Sequence, residues 1–310
     1  MNEPVLTLAD LDGWNRSGTH LAVLGHPIKH SISPPMHNAA LAELAKTDER
    51  FADWKYHRFE VHPDDLPVAL ERLLAAGFLG VNLTVPHKII AFDRVAGVSP
   101  AARPIGAVNT LVRKPDGWHG HNTDGHGLTA SLREDLSTEL AGAEVLLLGA
   151  GGAARGAAVE CMQSGVRSLR ILNRTAATRD ALIAQVRPLD ESIPVSGIAP
   201  DDWSELPPRL VIINATSAGL KPDDVQPVDL MMMAGPRAVF DMIYNPAETR
   251  LLAQARALGI PAANGLGMLV HQGARSLQHW IEAVTAAGQP VPRIPVDVMR
   301  AAAEAALAAH

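Results

Sequence analysis

One cysteine, Cys161, stands in a chain of 310 residues. That excludes a disulfide framework within the chain and a cysteine-built structural zinc site. Aromatic residues are scarce, 4% of the total, so Ala, Leu and Val must supply most of the packing. Charged residues make up only 19%, against an ordinary share of about 25%. With 47% apolar residues, disorder and coiled coil are disfavoured. No basic run occurs, and 27 Lys and Arg against 33 Asp and Glu leave a net charge of −6. Phosphate neutralisation needs clustered cations, so no nucleic-acid partner is expected. No apolar run reaches the roughly 18 residues of a membrane span, so no membrane partner is expected either. The segment Met1–Gly18 is polar and acidic, without the basic and apolar regions of a secretory signal. The expected setting is reducing and cytoplasmic. At roughly 150 residues per domain, the length predicts two domains.

Apolar runs alternate with helical patterns. Strands are predicted at Leu21–Gly25, Tyr56–Val61, Gly80–Val85, Val145–Gly149, Leu169–Asn173, Leu210–Asn214 and Ala238–Ile243. Helices are predicted over Pro34–Leu44 and Pro63–Ala76, after Pro86, over Leu128–Leu140, up to Ser164, and from Met268 onward. Ala107–Lys114 and Trp118–Thr123 flank the turn Pro115-Asp116-Gly117 and predict a hairpin. Alternating β and α units imply an α/β fold with parallel sheets covered on both faces.

Gly149 follows a buried strand and precedes a helix, in the run GAGGAARG. Read as G-x-G-x-x-A, it places Gly149 at the tight turn, Gly151 where a pyrophosphate approaches, and Ala154 where helix and strand pack. The phosphates would sit on the positive end of the helix. The second strand ends at Asn173, 24 residues after Gly149. NAD sites place a carboxylate near this point. Here stand Asn173, Arg174 and Thr175, and an Arg pairs with a 2′-phosphate. The cofactor read from this pattern is NADP. The next predicted strand ends in Asn214-Ala215-Thr216-Ser217, where polar residues could line the nicotinamide half or simply cap a turn.

A second set of polar residues lies in the N-terminal part. Ser31 and Ser33 precede Pro34; Ser33 suits an N-cap and Pro34 the first helical position. The same hydroxyls at a helix start could hold a carboxylate. Asn82 and Thr84 are two apart and project from one face of a strand. Lys88, at the next helix start, opposes the helix dipole. Asn109 falls within a strand, where Asn is disfavoured. Asp124 follows the hairpin, and Gln272 lies in a late helical segment. Hydroxyls, amides, one ammonium and one carboxylate suit a polyhydroxylated small molecule bearing a carboxylate. His119, His121 and His126 lack a completing ligand, so no metal is expected.

These stretches, GHPIKHSISPPMHN, NLTVPHK, GAVNT, HNTDG, GAGGAARG, NRT, NATS, DMIYNP and GLGMLVHQ, occur in one order. In them the chain resembles the shikimate dehydrogenases, from Leu21 to about Ile281. The resemblance implies NADP-dependent, reversible reduction of 3-dehydroshikimate to shikimate in aromatic amino-acid biosynthesis. It implies an N-terminal α/β substrate domain over 1–124 plus 265–310, and a Rossmann-type doubly wound NADP domain over 125–264. The C-terminal helices would return to the first domain. Lys88 and Asp124 would be the catalytic pair. Ser31, Ser33, Asn82, Thr84, Asn109, Tyr244 and Gln272 would bind substrate. Gly149, Ala150, Gly151, Gly152, Ala153, Ala154, Asn173, Arg174, Thr175, Thr216, Ser217, Gly265 and Met268 would bind the cofactor, with Tyr244 and Gly265 toward the nicotinamide. The second basic residue that many NADP-using members carry three places after NRT is Thr178 here, and an Arg follows at Arg179. A quinate/shikimate dehydrogenase with NAD use shares nearly every motif. A non-catalytic NADP sensor on the same scaffold would need no Lys–Asp pair. A homodimer is compatible with the resemblance.

Overall fold

The runs His20–Gly25, Gly80–Leu83, Val211–Asn214 and Ala238–Asp241 are buried at every position, as central strands covered on both faces must be. In the computed structural model, residues 4–200 and 206–309 are described. The chain divides into two units, one running to Thr123 and resuming at Gln272, the other spanning Asp124–His271. None of the described helices is long and apolar enough to cross a membrane.

The first unit is built on seven strands: β1 (Val5–Leu6), β2 (His20–Gly25), β3 (Lys55–Glu60), β4 (Gly80–Leu83), β5 (Gly97–Val98), β6 (Thr110–Lys114) and β7 (Gly117–His121). Their order is β1-β3-β2-β4-β6-β7-β5. β1 to β4 run parallel, whereas β6 is antiparallel to both β4 and β7. The sheet is therefore mixed, not wholly parallel, because the two-residue turn of the hairpin reverses the chain. Helices α1 (Ser33–Ala45), α2 (Leu66–Ala75) and the single turn α3 (His87–Ile90) connect the strands. Leu24, Phe59, Val81, Leu111 and Trp118 form part of one buried core.

The second unit has α4 (Asp124–Leu136), β8 (Glu144–Leu148), α5 (Gly152–Gln163), β9 (Ser168–Leu172), α6 (Ala176–Val186), β10 (Val195–Ile198), β11 (Val211–Asn214), β12 (Ala238–Asp241), α7 (Arg250–Ala257) and β13 (Ala262–Asn264). Its six strands are all parallel, in the order β10-β9-β8-β11-β12-β13. The order reverses between β8 and β11, the crevice where ligands bind in such sheets. α8 (Leu266–Val284) begins in this unit and carries the chain back to the first, where α9 (Val296–Ala308) packs on α1.

Several expectations are corrected. The division falls before Asp124, and the return falls at Gln272 instead of 265. The first turns of α8 are tied to the second unit: the Gly265 N–H donates to the Ile243 carbonyl at 3.1 Å, and His271 lies 2.9 Å from Glu134. α4 starts at Asp124, four residues before the predicted start. Asn109 precedes β6 and is not inside it. The N-terminal stretch, to which the sequence assigns no role, adds β1 beside β3 and packs Trp14 against His20, His57, Phe59 and Phe78. Residues 1–3 of that stretch lie outside the described residues.

Candidate active site

In the first unit, β2, β3 and β4 are parallel, so their carboxyl ends share one edge of the sheet. β6 is antiparallel to β4 and sets Thr110 beside Asn82. The predicted residues Ser31, Ser33, Asn82, Thr84 and Lys88 close or follow these strands, and Asn109, just before β6, meets the end of β4, where its carbonyl accepts from the Leu83 N–H at 2.9 Å. The loop after β2 is held by Arg58, a buried residue of β3 that donates to the carbonyls of Lys29 (2.6 Å) and Ser31 (3.1 Å). Ser33 is not the N-cap of α1. It is the first helical residue, and Ile32 occupies the cap position. No side chain caps this helix, and the Ser31 hydroxyl accepts from the Ser33 N–H at 3.4 Å. This leaves Ser33 Oγ without the capping task the sequence assigned to it.

Lys88 is half-buried and second in α3. With only one turn, α3 has no separate start and end, so the dipole argument for Lys88 loses its force. Its place is fixed by neighbours instead. The buried ring of His87 bonds the Val61 carbonyl at 2.9 Å, and the Lys88 carbonyl accepts from the Val108 N–H at 2.9 Å. Burial holds the His87 imidazole below its usual pKa.

Asn82, Asn109 and Gln272 belong to one buried network. Asn82 Oδ1 accepts from the Tyr56 hydroxyl (2.8 Å), and Asn82 Nδ2 reaches the Asn109 carbonyl (3.0 Å), Thr110 Oγ1 (3.1 Å) and Ser276 Oγ (3.0 Å). Asn109 Oδ1 accepts from the Thr123 N–H and the Thr110 hydroxyl, both at 2.9 Å. Asn109 Nδ2 donates to Thr123 Oγ1 (3.0 Å) and Gln272 Oε1 (3.2 Å). Tyr56, Thr110, Thr123 and Ser276 were not foreseen. Ser276, one turn after Gln272 in a largely apolar helix, is the sequence signal that was there to read.

In the second unit, the Gly-rich turn lies at the end of β8. Gly149 has φ +106°, and a Cβ there would lie 3.1 Å from the Ala215 carbonyl oxygen. Gly151 and Gly152 begin α5, and a Cβ on either would meet nothing within 4 Å. Ala150 and Ala153 flank this open backbone, and Ala154 is fully buried beneath it. Helix amides with open space before them fit a pyrophosphate. Asn173 donates to the Thr175 carbonyl at 3.0 Å and shapes the turn that carries the exposed Arg174. Arg179 is committed elsewhere: it donates to the Ile198 carbonyl (3.0 Å) and Asp180 (2.9 Å), clamping α6 to β10. It thus supplies no substitute for the second basic residue.

Asn214 is fully buried and does not line the crevice. It donates to Asp241 (3.0 Å) and accepts from the Thr216 N–H (3.1 Å) and hydroxyl (2.7 Å). The Thr216 hydroxyl also accepts from Ala218 N–H, whereas Ser217 is exposed. Burial raises the Asp241 carboxyl above its ordinary pKa, against hydrogen bonds from Thr249, Ile243 and Asn214. Gly265 has a protein-side reason to be glycine: a Cβ there would overlap the Met242 carbonyl. Tyr244, after β12, and Met268, in the first turn of α8, are half-buried. Burial raises the Tyr244 phenol pKa. The three histidines weighed for metal binding are separately engaged: His119 pairs with Asp116, His121 stacks on His279, and His126 is exposed.

Residues 23–111 match the sequence profile described as the shikimate dehydrogenase substrate binding domain. The chain is 40% identical to a shikimate dehydrogenase (NADP(+)) from Symbiobacterium thermophilum, over 94% of this chain and 95% of the relative. Among solved structures, the shikimate 5-dehydrogenase of Thermus thermophilus in complex with NADP(H) and shikimate superposes with TM-score 0.79. It is 32% identical and covers 93% of this chain and 99% of its own. The ligand-free 5-ketofructose reductase of a Gluconobacter strain superposes with TM-score 0.81 at 30% identity, over 94% and 99%.

Proposed function

The chain belongs to the shikimate dehydrogenase family, and from that premise we propose that Lys88 and Asp124 carry out its chemistry. The enzyme is an NADP-dependent oxidoreductase that interconverts 3-dehydroshikimate and shikimate. The observation that supports the residue assignment best is the buried network presenting Asn109 and Gln272 at the carboxyl edge of the first sheet. There the Asn109 side chain also holds the backbone of Thr123, the residue before Asp124.

When bound, NADPH supplies the hydride that adds to the ketone carbon. Reduction leaves negative charge on the ketone oxygen, and the Lys88 ammonium donates the proton that neutralises it. In the reverse direction the neutral Lys88 amine takes the hydroxyl proton. Asp124 orients that ammonium and favours its charged form, or holds a ring hydroxyl. Ser31 and Ser33 take the substrate carboxylate, and Thr84, Asn109, Tyr244 and Gln272 the rest of the ring. The open amides of Gly151 and Gly152 take the pyrophosphate, and Arg174 the 2′-phosphate.

The test is absorbance at 340 nm with shikimate or quinate, each with NADP or NAD. Rapid turnover is expected for shikimate with NADP. Equal use of both cofactors and both acids would favour the quinate-type reading. Tight NADP binding with no turnover would favour the sensor. The reading extends to a cytoplasmic location and a homodimer, checked by cell fractionation and light scattering.

A further inference from the structure

Ser31 and Ser33 stand at the end of a loop, residues 26–32, that is neither strand nor helix. Its entry is tied to the sheet. The Val61 N–H donates to the Gly25 carbonyl at 3.1 Å, and the His26 N–H to the Val85 carbonyl at 3.4 Å. Further along, the Ser31 N–H closes one turn on the Ile28 carbonyl at 2.9 Å. That turn is local and does not fix where the serines stand relative to the sheet.

Side chains of β3 supply that tie. Glu60 Oε2 accepts from the Ile28 N–H at 2.8 Å, and Glu60 Oε1 lies 2.7 Å from His26 Nδ1. Arg58 donates to the Lys29 carbonyl at 2.6 Å and the Ser31 carbonyl at 3.1 Å. Arg58 and Glu60 are two apart in a strand, so they project from one face. Their bonds are charge-assisted, roughly twice as strong as neutral ones. Asn38 of α1 exchanges two bonds with the Tyr56 backbone, both at 2.9 Å. One strand therefore holds the loop at four positions, and also the helix whose first residue is Ser33.

We propose that Glu60 and Arg58 are positioning residues that set Ser31 and Ser33 for the substrate carboxylate. Glu60 fixes the first half of the loop and Arg58 the second. The buried Arg58 guanidinium, at the Ser31 carbonyl, also puts a positive charge beside the residues that receive an anion. The serine hydroxyls thus meet the carboxylate from a backbone already in place, and the loop need not be ordered on binding. The proposal rests on the reading that Ser31 and Ser33 hold that carboxylate.

The experiment compares Glu60→Ala, which loses both bonds, with Glu60→Gln, which keeps an acceptor for the Ile28 N–H. Glu60→Ala should raise KM for shikimate by about tenfold, the scale of a lost charged hydrogen bond. Its kcat should stay within about threefold of wild type and its KM for NADP within about twofold. Glu60→Gln should bring KM for shikimate back to within about threefold. Arg58→Lys, which keeps the charge but not the fork, should shift KM in the same direction and provides the reading if the alanine variant does not fold. A folded Glu60→Ala with wild-type KM overturns the clamp, as does equal damage from Ala and Gln, or a parallel rise in KM for shikimate and NADP. Ser33→Ala, assayed beside these, separates the two readings. An active wild type whose KM for shikimate ignores Ser33→Ala overturns the carboxylate assignment. A wild type that responds to Ser33→Ala but not to Glu60→Ala overturns the clamp alone.

Discussion

Lys88 and Arg174 carry the two claims that live in single side chains. Lys88 stands on a one-turn helix tied down at His87 and at its own carbonyl, so removing its side chain leaves the local backbone supported. Lys88→Ala should therefore lower kcat by about 10²–10⁴, the usual value of a general acid, with a smaller effect on KM for shikimate. Steady-state kinetics decide it, and near-normal kcat would remove Lys88 from the proton transfer. Arg174 is exposed on the turn after β9. Arg174→Ala should weaken NADP by roughly tenfold to several hundredfold while NAD is little changed, since a charged phosphate partner is lost. Titration of each cofactor by fluorescence would show it, and parallel losses for both would count against the assignment. The sequence allowed Arg179 to share this task. The structure spends it on the β10 carbonyl, a contact between residues 19 apart in the chain that no local pattern announces.

At the scale of the element, the Gly-rich turn makes two opposite predictions from two neighbouring glycines. Gly149 needs its positive φ and has the Ala215 carbonyl where a Cβ would go. Gly149→Ala should cost on the order of 1–3 kcal/mol of stability, seen in urea denaturation. Gly151 has an ordinary φ of −82° and open space around it. Gly151→Ala should leave the urea midpoint unchanged and raise KM for NADP about tenfold, because only a bound pyrophosphate would meet the methyl group. The N-terminal segment is likewise an element with a function of its own. Trp14 touches four rings, and Arg16 lies 4.4 Å from its ring centroid. Trp14→Ala should destabilise the first unit by about 2 kcal/mol with kcat unchanged, by denaturation and assay of the same sample. The four strands missed from sequence, β1, β5, β10 and β13, are the four sheet edges. Edge strands are short and half-covered, so they lack the apolar runs that mark central strands. The centre of each sheet was legible for the converse reason.

For the whole molecule, acid should act through buried histidines. His37 is fully buried, stacked 4.1 Å from Tyr56, and burial lowers its pKa from 6.5 to about 3. Burial, with the charges of His20, Arg16 and Lys55, lowers His57 to about 3. Burial beside His279 lowers His121 to about 4. In each case the folded state keeps the ring neutral, while the unfolded chain takes up a proton below about 6.5. Stability is therefore full above pH 6.5 and is lost as pH falls toward 3–4. Between pH 7 and pH 5, His37 alone should cost on the order of 2 kcal/mol. His37→Phe, which preserves the stack on Tyr56, should flatten the urea midpoint against pH over that interval. An unchanged slope would show that His37 does not set it.

Local pattern determined much of this protein by itself. Apolar runs of strand length, glycines at a strand–helix turn and Arg174 at a strand end are short-range features, each written within a few residues. They suffice for the α/β class and for a turn of the dinucleotide type, and they are what the proposed pairing of Arg174 with NADP rests on. What the tertiary structure decided is which polar groups face one another. Asn82, Asn109, Thr110, Thr123, Gln272 and Ser276 come from four separate stretches and meet only because β4 and β6 pair antiparallel and α8 returns to the first unit. A buried amide acquires its orientation from partners it meets after folding, so Asn82 and Asn109 could be named from sequence as polar residues at strand ends, but not as members of one hydrogen-bonded network.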